Sequence, residues 1–200
     1  MNLFTPTIFD NLLPFDGAVF YHADFISNQK AIGFFKKLLT TIPWQQDEVF
    51  IFGKKHITAR KMAWYADNDI AYTYSKSTKE ALPWTAELLE IKRTVEQKTG
   101  EKFNACLLNL YADGAQGMGW HADDEKSIVP HSTIASVSLG VERKFVLKHR
   151  ATKQKVEVVL GNGSLLLMQG ETQKHWLHSL PKSLKATSPR VNLTLRKMLA

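Results

Sequence analysis

What most limits the fold of this chain is its second half, where short strand-like segments follow one another at close intervals. Phe103 to Tyr111, Ile134 to Leu139, Lys144 to Lys148, Val156 to Leu160, Ser164 to Met168 and Arg190 to Arg196 each read as strands. Turn signals separate them at Asp113-Gly114, Gly140 and Gly161-Asn162-Gly163. Two helices are expected ahead of this run. Ser27 is placed to cap one over Asn28 to Leu39, and Leu88, Leu89, Ile91 and Val95 suit a second between Pro83 and Thr99, which Gly100 ends. Between the helices, Glu48 to Lys54 reads as a strand running into a turn. Asp67-Asn68-Asp69 then reads as a turn between Trp64-Tyr65 and Ala71 to Tyr74. Many short strands behind leading helices predict an α+β, mostly β architecture, a double-stranded β-helix or jelly roll with the helices packed on one side.

The 200 residues suit a single domain with a sizeable core, and 44% hydrophobic against 22% charged residues is the balance of a globular protein. Cys106 is the one cysteine, which excludes an intrachain disulfide and a cysteine-rich zinc cluster; a core position in a reduced setting is expected. Met1 to Pro6 lacks a basic segment followed by a long apolar run, and no stretch approaches the length of a membrane span. The expectation is a monomer of the cytoplasm, or also of the nucleus in a eukaryote, with no membrane partner. A net charge of +7 favours an acidic partner. The charge gathers at Lys54-Lys55-His56, at Arg60-Lys61 and from Lys148-His149-Arg150 through Lys153 and Lys155. Solvated loops and phosphate contacts explain these clusters equally well.

His121 and Asp123 stand two apart in Trp120-His121-Ala122-Asp123-Asp124-Glu125, and in a strand such positions share a face. An imidazole and a carboxylate aimed at one point suit a metal. Non-haem Fe(II) oxygenases take two imidazoles and one carboxylate on one side of the ion. A second imidazole is available from His175 or His178, in Lys174-His175-Trp176-Leu177-His178-Ser179-Leu180-Pro181. A lone His-x-Asp is weak ground, because solvated strand ends carry the same pair. The last strand, Arg190-Val191-Asn192-Leu193-Thr194-Leu195-Arg196, alternates strictly, so one face packs on a core and the other is lined with donors. Two arginines on one face are costly to desolvate without anions, and a small dicarboxylate would satisfy both. Asn109 and Tyr111 offer an amide and a hydroxyl in the same way. An outward polar face is the plainer account of either strand alone; an iron site with a dicarboxylate co-substrate explains all of these residues together. Tyr72 and Tyr74 also share a face and could stack on an unpaired base, although half-buried strands favour aromatics in any case.

Several ordered blocks then carry a resemblance. Asn109-x-Tyr111, Trp120-His121-x-Asp123-Asp124-Glu125, Ile134 to Gly140, His175-Trp176-x-His178-Ser179-Leu180-Pro181 and Pro189 to Arg196 resemble the AlkB family of nucleic-acid dealkylases. Arg60 and Tyr72-Thr73-Tyr74 extend the likeness back to about residue 50, and residues 1–45 lie outside it. The resemblance implies one Fe(II)/2-oxoglutarate dioxygenase domain over residues 1–200. Within it would lie an N-terminal extension with a helix over 1–45, a nucleotide-recognition region over about 50–100 and a jelly-roll catalytic core over 101–200. It implies that His121, Asp123 and His178 bind Fe(II) as the catalytic centre. Arg190 and Arg196 would hold the carboxylates of 2-oxoglutarate, with Asn109, Tyr111 and Thr194 assisting, and His175 would either support a ligand from behind or be structural. Asp124 and Glu125 resemble carboxylates that face the damaged base, and Tyr72, Tyr74 and Trp64 its stacking wall. Ile51-Phe52-Gly53-Lys54, followed by His56 and Arg60-Lys61, resembles the apolar finger that duplex-acting members insert into the base stack. Phe52 as a core residue is the equal alternative, and Ala63-Trp64-Tyr65 looks like members that prefer single strands.

The implied reaction is oxidative demethylation of N-alkylated bases such as 1-methyladenine and 3-methylcytosine in DNA, or in RNA. 2-Oxoglutarate and O2 are consumed, and succinate, formaldehyde and the unmodified base are released. A methyl on a Watson–Crick edge is hidden in a duplex, so the base must be flipped out or already unpaired. A carboxylate such as Glu125 or Asp124 would favour the cationic lesion while basic loops hold phosphates. Two other classes remain at this stage: a 2-oxoglutarate oxygenase acting on protein or lipid, and a non-catalytic nucleic-acid-binding module.

Overall fold

The structure, a computed structural model, describes residues 10–51, 54–67, 70, 72–74 and 77–199, and side chains within these except at 47–51, 54–56, 72–74 and 77–79. The chain opens with β1 (Ala18–His22) and α1 (Asn28–Thr41), which buries Ala31, Phe34 and Leu38 at helical spacing. Ser27 does stand at the N-cap of α1, but its hydroxyl makes no capping bond. Next come β2 (Gln45–Ile51), β3 (Lys54–Ala66), β4 (Tyr72–Tyr74) and β5 (Ser77–Lys79). The second helix, α2 (Ala86–Thr99), starts later than Pro83 because the Thr85 side chain takes the Leu88 N–H and fixes the start there. Gly100 ends it at φ 73°. The rest of the chain is β6 (Ala105–Tyr111), β7 (Met118–His121), β8 (Ile134–Gly140), β9 (Arg143–His149), β10 (Lys155–Leu160), β11 (Ser164–Gln169), the one-turn α3 (Thr172–His175), β12 (Trp176–Leu180) and β13 (Arg190–Arg196).

Two sheets face each other. One has seven strands in the order β1-β11-β8-β13-β6-β3-β2, the other four in the order β10-β9-β12-β7; β4 and β5 form a separate hairpin. This is the jelly-roll arrangement with helices on one side. β13 sits between β8 and β6, so both of its edges are paired. Val191, Leu193 and Leu195 pack with Leu38 of α1 and Ile91 of α2 in the largest apolar cluster, each contributing roughly 1.5–3 kcal/mol of burial. Cys106 is buried in the same cluster. A second cluster, with Phe145, Leu147, Leu166, Met168 and Leu180, fills part of the space between the sheets. The remaining space takes the other face of β13.

Residues 18–66 extend the sheet built around the C-terminal strands, since β1 pairs with β11 and β3 with β6. The expected strand through both His121 and Asp123 stops at His121. Among the described residues no helix is long and apolar enough to cross a membrane.

Candidate active site

β7 and β12 place the two histidines opposite each other: His178 pairs with His121 across the antiparallel ladder, and the rings lie 4.2 Å apart between centroids. The Gly119 carbonyl oxygen accepts from His121 Nδ1 at 2.8 Å, which leaves the Nε2 lone pair for the site. His178 is buried and stacks on Phe145 at 5.3 Å. Burial and the neighbouring His121 push its pKa down to about 3, so the imidazole is neutral and able to ligate.

Asp123 reaches the same point from the loop past β7 rather than from the strand itself. The loop is pinned, because the Asp123 N–H donates to Gln173 Oε1 at 2.9 Å. Arg196 donates to Asp123 Oδ1 at 2.5 Å, while Oδ2 stands 3.8 Å from His178 Nε2. Burial pushes the carboxyl pKa up, but Arg196 and the two imidazoles together outweigh it and hold the group below its ordinary value. Donor atoms of His121, Asp123 and His178 all lie within 4.8 Å of one another. Two imidazoles and one carboxylate, converging in one pocket, fit a divalent iron with positions left open.

The cavity containing this triad is lined by both sheets. Asn109 and Tyr111 from β6 and Arg190, Asn192, Thr194 and Arg196 from β13 face into it, as does Ser136 from β8. Arg190 is 2% exposed, with one donor on Ser138 Oγ at 2.9 Å and its Nε without a hydrogen-bond partner. Burial lowers its pKa to about 10, and no carboxylate pairs with it among the described residues. A buried guanidinium in this state calls for an anion, which is the fit a carboxylate of 2-oxoglutarate requires. Arg196 is placed differently. Its guanidinium serves Asp123 and lies 3.4 Å from Glu125 Oε1, while it lines the same cavity as Arg190. Tyr111 lies between Arg190 and Arg143, whose guanidinium carbons are 5.7 and 5.9 Å from its ring centre.

Arg60 and Glu125 also line this cavity. Arg60 Nε donates to Asn109 Oδ1 at 2.9 Å, which ties β3 to β6 at the cavity wall. Asp124 points outward, paired with Arg150 at 3.2 Å on the rim. Trp64 corrects an expectation. It is 2% exposed, donates from Nε1 to the Ile70 carbonyl at 2.9 Å and packs with Met62, Ala66 and Leu107, so it is a core residue and not part of the cavity wall. Tyr72 and Tyr74 are paired in β4, but their side chains lie outside the described ones, and Phe52 lies outside the described residues.

Sequence reasoning missed Gln173, Ser138 and Arg143. The serines at 136 and 138 had a signal, polar residues at alternate positions of an otherwise apolar strand. Gln173 had none, because one turn of helix shows no periodicity. Arg143 is buried and donates to the carbonyls of Asp113, Gln116 and Pro181, fastening the loops that flank β7 and β12. A second group of metal-type donors, Asp16, His149 and His175, is a clasp instead. The Thr152 N–H donates to His149 Nδ1 at 3.1 Å, so the ring proton sits on Nε2, 3.3 Å from Asp16 Oδ2, and no lone pair remains for an ion. His175 is held at 3.2 Å by Glu171.

Residues 17–196 match the family model of the 2OG-Fe(II) oxygenase superfamily, reaching further towards the N-terminus than the motif blocks do. The chain is 44% identical over 159 residues to human DNA oxidative demethylase ALKBH2, a match covering 76% of this chain and 61% of that protein. It is 34% identical over 182 residues to human alpha-ketoglutarate-dependent dioxygenase alkB homolog 3, covering 86% of this chain and 63% of that one. It therefore spans about three-fifths of the length of these curated relatives. The solved structure of OsALKBH1 shares the fold, with a TM-score of 0.65 at 16% identity over 90% of this chain and 97% of that one. The chain belongs to the 2OG-Fe(II) oxygenase superfamily and, within it, to the AlkB family.

Proposed function

We propose that this chain is an Fe(II)- and 2-oxoglutarate-dependent dioxygenase that removes methyl groups from N-alkylated bases in DNA, 1-methyladenine and 3-methylcytosine among them. The observation that carries the reading is the His121–Asp123–His178 triad sharing one cavity with the buried guanidinium of Arg190, which pairs with no carboxylate among the described residues. The name of the human relative ALKBH2, a DNA oxidative demethylase, supports the DNA substrate, and the net charge of +7 suits a polyanion.

His121, Asp123 and His178 would hold the iron. When bound, iron with 2-oxoglutarate and O2 supplies the oxidation of the N-methyl group; the resulting hemiaminal collapses to formaldehyde and the free base. The chain's own part is orientation and exclusion of water. Arg190 would take one carboxylate of the co-substrate, and Tyr111, Asn109 and Thr194 line the same cavity. Arg196 keeps Asp123 ionised and pointed by occupying Oδ1. Glu125, on the cavity wall, favours a cationic methylated base over its neutral parent. The apolar wall of Leu107, Met118, Phe145, Met168 and Leu180 keeps water from the reacting methyl group.

The test is mass spectrometry of 1-methyladenine and 3-methylcytosine oligonucleotides, DNA and RNA, single- and double-stranded, incubated with the protein, Fe(II), 2-oxoglutarate and O2. Loss of the methyl mass from at least one DNA substrate, dependent on both Fe(II) and 2-oxoglutarate, is the expected result. Retention of the methyl group on every DNA substrate while 2-oxoglutarate is still turned over would assign the site to another substrate class.

A further inference from the structure

The strand that carries His121 into the cavity turns its neighbour Trp120 to the opposite side, onto the outer face of the four-stranded sheet. Trp120 is 41% exposed there, although a free indole surface is costly to leave in water. It is held in place: the Lys148 ammonium, from β9, sits 4.1 Å from the ring centre. Beside this pair runs an open groove of about 570 Å³, lined by Trp120, Lys144, Val146, Lys155 and Lys182 among others. Glu157 is its one acid and is neutralised by Lys144 at 2.6 Å. Lys155 and Lys182 make no ion pair among the described residues, which leaves three cationic side chains, Lys148, Lys155 and Lys182, around one exposed aromatic. Met118 lines both this groove and the central cavity, so the two lie close together at β7, the edge strand of its sheet.

We propose that this outer face binds the unpaired strand flanking the base under repair, with one neighbouring base stacked on Trp120 and its phosphates met by Lys148, Lys155 and Lys182. The inference rests on the nucleic-acid reading given above and extends it to a surface outside the cavity. Lysines alone on a sheet face are ordinary solvated charges, and an acidic peptide would need only them. The pre-positioned indole distinguishes the surface, because every base offers a π-face to an exposed ring while the phosphates follow the cations. Proximity to the cavity fits a strand only a nucleotide or two from the site of chemistry.

The test uses the full chain and an unmethylated, fluorescein-labelled 15-residue oligothymidylate, without iron or 2-oxoglutarate, so that binding is read apart from demethylation. Trp120→Ala is expected to weaken binding about tenfold, with Trp120→Phe recovering most of the loss, as stacking on a ring requires. Lys148→Ala should lower the slope of log affinity against log salt by about one phosphate contact. On a methylated substrate both changes should raise KM for a 15-mer while leaving kcat, and both constants for a trinucleotide, near wild type. Wild-type affinity and salt slope in Trp120→Ala and Lys148→Ala would overturn the proposal. So would equal weakening by Trp120→Phe and Trp120→Ala, or displacement of the oligonucleotide by polyglutamate at the same charge concentration. If Trp120→Ala fails to fold, Lys148→Glu and Lys155→Ala/Lys182→Ala carry the same comparison on exposed side chains. Absence of demethylation together with Trp120-dependent binding would sink the enzymatic reading and leave this surface standing.

Discussion

Asp123 shows how much of the site depends on residues that never touch a metal. Its backbone is held by Gln173, one carboxylate oxygen by Arg196, and only Oδ2 is left for ligation beside His178. Gln173→Ala removes the anchor of a loop residue while leaving the donor set intact. Losses of about 10- to 100-fold follow when such supporting bonds are cut, and that range is expected for Mn(II) affinity by calorimetry, with the unfolding midpoint little changed. Unaltered affinity would show that the loop is held without Gln173. Arg190 allows a complementary test. Arg190→Ala should weaken 2-oxoglutarate binding by about 2–5 kcal/mol, measured by equilibrium titration, because a buried carboxylate would lose the guanidinium paired with it. Arg190→Lys should restore part of this, since an ammonium cannot reproduce the bidentate fork. An unchanged 2-oxoglutarate affinity in Arg190→Ala would reject its role.

At the scale of elements, the two long helices look alike in sequence and differ at their starts. Thr85 accepts the Leu88 N–H at 3.3 Å, whereas the Ser27 hydroxyl bonds no backbone group of α1. Thr85→Ala should therefore cost about 1 kcal/mol in urea unfolding and Ser27→Ala only a few tenths. Equal losses would mean that the cap positions, not these bonds, set the helix ends. The strands were legible to different degrees for a physical reason. β13 declares both of its faces, one apolar and one polar, because it lies in the middle of a sheet between a helix-covered core and a cavity. β7 has four residues, too few for alternation to show, and its partner Asp123 lies in the following loop. The His-x-Asp motif brings His121 and Asp123 together by a strand geometry that holds for His121 but not for Asp123, which lies in the loop.

Across the whole molecule, the division of labour between the sheets was the part sequence could not supply. Donors from β6 and β13 on the large sheet meet His121 and His178 from the small one, and a fold of facing sheets is needed before residues 109, 121, 178 and 190 become neighbours. The ordered motif blocks indicated this through likeness to a family, not through any periodicity in the chain. Trp64 shows the limit. An aromatic at strand spacing beside a basic loop reads equally as a stacking wall or as core, and only its burial with Met62 and Leu107 decides for core. The pairing of Arg196 with Asp123 was equally hidden, because alternation reveals which face a side chain takes and not which partner it meets. The central claim, that His121, Asp123 and His178 form one iron centre driving 2-oxoglutarate chemistry, is tested most directly by succinate release from 2-oxoglutarate. It should be measured in the wild type and in His121→Ala, Asp123→Ala and His178→Ala, with binding of an unmethylated strand as the folding control. Fe(II)-dependent succinate in the wild type, falling at least about a hundredfold in each variant while strand binding persists, is the predicted result; undiminished succinate release in all three would contradict it.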